Sequence, residues 1–117
     1  MKPKARIILM VALTGMTAAC ASTVPPPNDQ WAAAQADVGR AQAGGAPYLP
    51  DARLHLQLAQ EDLAKAKALI GNDNLRATTL TEAARSEAQL ALSLGKQADA
   101  EARAREAQAE LAGFAPR

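Results

Sequence analysis

Sulfur, imidazole and aromatic rings are scarce in this 117-residue chain, which holds one cysteine, one histidine, one Trp, one Tyr and one Phe. With three aromatic side chains there is little to fill an aromatic-rich sandwich or barrel. A single cysteine excludes an intramolecular disulfide and any CxxC metal or redox motif, and His55 alone cannot build a histidine-rich metal cluster. Catalytic templates that need two such groups fall away with them. What is present is alanine, 30 of them, with 14 leucines and a scatter of Glu, Arg and Gln, the composition of long helices. An all-α fold follows, with no catalytic, cofactor-binding or metal site expected and no enzyme activity.

The first residues read as a secretory signal peptide. Lys2, Lys4 and Arg6 precede an uncharged stretch from Ile7 to Ala19. Those 13 residues are short of the roughly 20 that cross a bilayer as a helix. Ala18-Ala19-Cys20 resembles the lipobox of bacterial lipoproteins, with Thr17 departing from the usual Leu. The resemblance implies cleavage after residue 19, a diacylglyceryl group on the Cys20 thiol and an acyl group on its amine. It also implies retention at the outer membrane on its periplasmic face, because Ala21 rather than Asp follows the cysteine. The alternative is an ordinary signal-peptidase site after Ala19 or Ala21, leaving an unlipidated periplasmic protein. Cutting at that point also changes the charge. Three of the thirteen cations lie in the leader, so the chain from Cys20 carries ten Lys/Arg against twelve Asp/Glu, net −2, with no basic footprint for nucleic acid.

After the signal peptide (1–19), residues 20–28 form a short tether. Val24-Pro25-Pro26-Pro27 is expected to extend as polyproline II and act as a spacer. A helical domain is expected over 29–112, with helices at about 29–43, 51–70 and 74–112, and a tail at 113–117. Asn28 or Asp29 is expected to cap the first helix, whose stripe is Trp31, Ala34, Val38 and Ala41. Gly44-Gly45 and the prolines at 47 and 50 break it, and Asp51 is expected to cap the second. Gly71-Asn72-Asp73-Asn74 supplies a stop, a turn and a new cap, which suits an antiparallel hairpin.

The second helix carries a heptad seam of Leu49, Ala52, Leu56, Ala59, Leu63, Ala66 and Ile70. The third presents Ala77, Thr81, Ala84, Ala88, Ala91, Gly95, Ala98, Ala102 and Ala109, with Arg105 as a misfit. Leucine knobs over alanines predict a close, coiled-coil-like hairpin, in which Leu56, Ala59, Leu63, Ala66 and Ile70 meet Ala77, Ala84, Ala88 and Ala91. The first helix has two solutions. Laid end to end with the second, it brings Trp31 near Phe114. Folded back, it covers a second apolar edge formed by Leu54, Leu58 and Leu69, which self-association would otherwise cover. Glu61–Lys65, Asp99–Arg103 and Glu101–Arg105 are expected as i, i+4 ion pairs on the outer faces. Carboxylate pairs such as Glu61/Asp62 have no expected pocket in which to do acid–base chemistry. His55 is expected as a plain helix-face residue, and Trp31, Tyr48 and Phe114 as helix-end anchors.

The run Gly44-Gly45-Ala46-Pro47-Tyr48-Leu49-Pro50, then Leu56, Ala59, Leu63, Ala66, Ile70, Gly71 and Asn72, then Ala77 and Leu80 through Ala84, Ala88 and Ala91, resembles the proteobacterial helical lipoprotein family known as domain of unknown function 4398. In that family the module often precedes an OmpA-like peptidoglycan-binding domain. This sequence stops at Arg117, so wall binding by that route is not expected. No catalytic residues carry over from the family. A looser likeness to murein lipoprotein lacks the C-terminal lysine used there for covalent attachment to peptidoglycan, so no such link is expected either. The expected role is that of an outer-membrane lipoprotein of a Gram-negative envelope: a structural or adaptor helical module with an envelope protein, or a second copy, as partner. The alternatives are a periplasmic carrier of lipids or amphiphiles and a soluble chaperone-like protein.

Overall fold

A computed structural model describes residues 23–114. Among them there are three α-helices and no strand: α1 (Asn28–Ala43), α2 (Pro50–Leu69) and α3 (Asn74–Gly113), with a single 3₁₀ turn at Ala46–Tyr48 between the first two. The all-α hairpin with an extra, shorter helix is therefore the fold. Cys20 and the lipobox lie outside the described residues.

The helix ends follow local chemistry, with two departures from expectation. Pro27, not Asn28 or Asp29, occupies the N-cap of α1, and no side chain caps that end. In α2, Pro50 rather than Asp51 opens the helix and Leu49 is its N-cap. Proline suits that first position because its missing N–H would have had no partner there, and Asp51 then sits in the first turn, where a negative charge favours the helix dipole. Asp73 does cap α3, its carboxylate accepting from the Arg76 N–H at 3.1 Å. Gly71 takes φ +89°, which lets the Asn72 and Asp73 N–H groups donate to the Leu69 carbonyl, while Asn74 Oδ1 accepts from the Gly71 N–H at 2.7 Å.

The hairpin seam is buried as predicted over most of its length: Ala52, Leu56, Ala59, Leu63 and Ala66 of α2 face Ala77, Thr81, Ala84, Ala88, Ala91 and Gly95 of α3. Ile70, expected within the seam, is half-buried at the C-cap. The largest side chain fully enclosed is Thr81, and its hydroxyl donates back to the Ala77 carbonyl at 2.8 Å. An interior built of methyl groups leaves backbones close together, so its stability depends on shape fit more than on buried bulk.

The end-to-end arrangement does not occur. Instead α1 folds back, antiparallel to α2 and parallel to α3. Three contacts climb in step along the two parallel helices: Val24 with Asn74, Asp37 with Arg85, and Gly44 with Gly95. Trp31 is accordingly beside Leu63, far from Phe114. The edge that α1 covers is not the expected one, because Leu54 and Leu58 remain 55% and 38% exposed. Helix α1 fills the opposite flank of the hairpin, through Ala34, Asp37, Val38 and Ala41.

Since α1 ends and α2 begins near the level of Gly95, the last turns of α3 have no neighbour. Ala98 is half-buried and every described residue beyond it is exposed, including the expected seam positions Ala102 and Ala109. Helix α3 is 40 residues long, about 60 Å, and roughly the last 22 Å of it stand clear of the bundle.

Candidate interaction surfaces

The seam residues singled out from the sequence for interaction are occupied within the chain. Leu56, Ala59, Leu63, Ala66, Ala77, Ala84, Ala88 and Ala91 are buried in the hairpin, so what faces outward must be sought elsewhere. Four features do so.

The first is the docked N-terminal strap. The Asn74 side-chain amide donates to the Val24 carbonyl at 2.8 Å, and Pro27 is buried. The stretch expected as a spacer is thus seated against the α2–α3 turn, and its direction of entry is fixed relative to the helices.

The second is the flank where α1 meets its neighbours. Asp37 is 4% exposed and accepts from two guanidinium groups, that of Arg40 one turn along α1 and that of Arg85 Nε at 3.1 Å on α3. Both arginines keep their outer ends in water, so the carboxylate loses its hydration and gains two charge-assisted hydrogen bonds. On the other side of α1, the Trp31 Nε1–H donates to the Leu63 carbonyl at 3.0 Å, and Lys67 Nζ lies 5.3 Å from the indole ring centre. Between these helices runs an open groove of about 440 Å³, lined by Trp31, Gln35, Val38, Gln60, Leu63 and Lys67 among others. Its amide and ammonium lining is water-compatible and encloses nothing.

The third is the face of the hairpin away from α1. Leu54, Leu58 and Leu90 are exposed and Leu69, Leu80 and Leu94 half-buried around a polar pair, His55 Nδ1 and Glu87 Oε2, 2.6 Å apart. His55 is thus more than a helix-face residue: it ties α2 to α3. Its own helix offers no partner at i+4, where Ala59 stands; the antiparallel register that sets Leu56 level with Ala88 sets His55 level with Gln89, and Glu87, two residues away, is the acid whose side chain reaches the imidazole. The Asp37–Arg85 pair carried no comparable signal in the sequence, since it depends on α1 lying parallel to α3.

The fourth is the free end of α3. Asp99 and Arg103 pair at 2.8 Å, while the expected Glu101–Arg105 pair is replaced by Gln97 Nε2 donating to Glu101 at 2.9 Å. Glu61 lies 3.8 Å from Lys65 on α2, which also reaches Asp62 at 3.4 Å. Tyr48 and Phe114, at 88% and 84% exposure, anchor no helix end. Among the described residues no three His, Cys, Asp or Glu side chains converge to hold a metal, and no helix is long and apolar enough to cross a membrane. No protein-family model, curated protein or solved structure matches the chain.

Proposed function

We propose that this protein is an outer-membrane lipoprotein, held through Cys20, whose three-helix unit is a structural or adaptor module presenting the free end of α3 to the periplasm. The observation that carries this reading is the seat of Val24 on Asn74, four residues after Cys20. Four residues reach at most about 14 Å. A lipid on Cys20 therefore holds the α2–α3 turn near the membrane, and α1 and α3 both run away from that anchored end. The exposed end of α3 is then the part of the unit farthest from the anchor. The signal segment with a lone cysteine at its end supports the same reading.

Sedimentation with outer membranes and the mass of the N-terminal peptide test it. The native protein is expected in the membrane fraction with a triacylated cysteine, and Cys20→Ser is expected to release it. An unmodified N-terminus after Ala19 or Ala21 in the native protein would sink the proposal. A carrier of amphiphiles would use the groove beside Trp31, but Gln35, Gln60 and Lys67 line it where acyl chains need apolar bulk.

A further inference from the structure

The uncovered face of the hairpin matches itself. Along the outer row of α2, Asp51, Leu58 and Lys65 recur every seven residues, on the side of the helix away from α1. Turned end over end about Leu58, that row reads Lys65, Leu58, Asp51. A second hairpin laid on it antiparallel brings Leu58 onto Leu58 and places each Asp51 against the other copy's Lys65. Beside this row lie Leu54 of α2 and Leu80, Leu90 and Leu94 of α3. Leu80 stands on the turn side of the Leu58 level and Leu90 on the far side, so the same rotation brings each toward the other copy's apolar end. The polar groups in the middle are paired within their own chain, His55 with Glu87 at 2.6 Å and Asp62 with Lys65 at 3.4 Å, so covering them leaves no group without a partner.

We infer that this face is the interface of an antiparallel homodimer with a two-fold axis at Leu58. The chemistry favours a second copy over other occupants. An isologous interface requires a surface complementary to itself under a half-turn, and the acid–leucine–base row has that property. A lipid surface would leave Asp51 and Glu87 facing an anionic, apolar medium. In the free protomer Lys65 lies 3.8 Å from the exposed Glu61 and 3.4 Å from the half-buried Asp62; the Glu61 pair holds little energy, so an ammonium with three donors can exchange it for Asp51 of the other copy while keeping Asp62. The two α2–α3 turns, and with them both Cys20 ends, lie at opposite ends of this dimer, so both anchors reach one bilayer when the helices lie along it; the inference goes beyond the anchoring proposed above and does not depend on Cys20 carrying lipid.

The test uses the full chain, made in cells in two epitope-tagged forms with benzoylphenylalanine in place of Leu58. Irradiation is expected to join the two tags, whereas the same photocrosslinker in place of Ala36, on the exposed back of α1, is expected not to. Asp51→Lys or Lys65→Glu alone should lower the mixed-tag yield about tenfold, because each sets like charges opposite one another at two symmetric places. The two substitutions together should restore the yield. Both positions are exposed, so circular dichroism of the variants should show unchanged helicity. Absence of a mixed-tag product at Leu58, an equal yield at Ala36, or a double variant as weak as the singles would each overturn the dimer. Crosslinks from Leu58 to phospholipid in place of protein would assign the face to a membrane and overturn it as well.

Discussion

A Cβ on Gly95 would lie 2.3 Å from the carbonyl oxygen of Gly44. The two glycines are where the end of α1 meets α3, and the missing side chain at 95 lets the turn after α1 rest directly on the third helix. That contact seats on α3 the reversal that Gly45, at φ +87°, makes into the buried Ala46 and on to Pro50.

Gly95→Ala should accordingly destabilise the fold by about 1–3 kcal/mol, since carbonyl backbone cannot yield to a methyl group, even though alanine is the better helix former. Gly39 is the internal comparison. It lies within α1, and a methyl group added there would meet nothing within 4 Å, so Gly39→Ala should stabilise by up to about 1 kcal/mol. Thermal melts of the two variants should therefore move in opposite directions, and a stabilised Gly95→Ala would remove the close approach.

Replacing Ala84 or Ala88 by leucine tests the hairpin seam. Both alanines are fully buried against α2, and four-carbon side chains there should cost about 1–3 kcal/mol through overpacking. Leu90, on the exposed face, offers the contrast: Leu90→Ala should move the melt of the protomer far less. Chemical denaturation followed by far-ultraviolet circular dichroism measures all three.

The carboxylate of Asp37 holds α1 to α3. Asp37→Ala removes both of its guanidinium bonds and should cost about 1.5–3 kcal/mol. Arg85→Ala leaves the buried carboxylate with Arg40 alone and should cost a similar amount. A double-mutant cycle on Asp37 and Arg85 should show coupling, and additive losses would mean that the pair does not dock the helix.

Trp31 is the only tryptophan, which makes its fluorescence a direct report on α1 docking. Trp31→Phe keeps the ring under Lys67 but loses the N–H bond to the Leu63 carbonyl. The loss should be small, about 0.5–1 kcal/mol, because that carbonyl lies within α2 and retains its helical partner.

Hydrogen exchange should divide α3 near Ala98. Amides from Ala77 to Gly95 lie against two other helices, whereas those beyond Ala98 belong to a helix sustained by alanine, Glu and Arg propensity and by single pairs such as Asp99–Arg103. Exchange at residues 99–113 should be much faster, and uniform protection along all of α3 would indicate that the free end is covered.

The amino-acid sequence by itself determined the helical class, the stops at Gly44–Gly45 and Gly71, the Asp73 cap, and the alternating seam that pairs α2 with α3. Each of these is local: periodicity names the apolar face of a helix, glycine supplies the left-handed residue at 45 and at 71, and a short turn forces its two helices to be antiparallel neighbours. Only the tertiary structure decided the place of α1. Its stripe of Trp31, Ala34, Val38 and Ala41 serves equally for an end-to-end helix or for either flank of the hairpin, because a face without bulk specifies no unique partner. The choice was made by contacts between residues far apart in the chain. Gly95 admits the Gly44 carbonyl, Arg85 meets Asp37, and Leu63 offers a carbonyl to Trp31, all on one flank. With that flank filled, Leu54 and Leu58 stay in water and the end of α3 stands free, and these are the surfaces the protein has left to use.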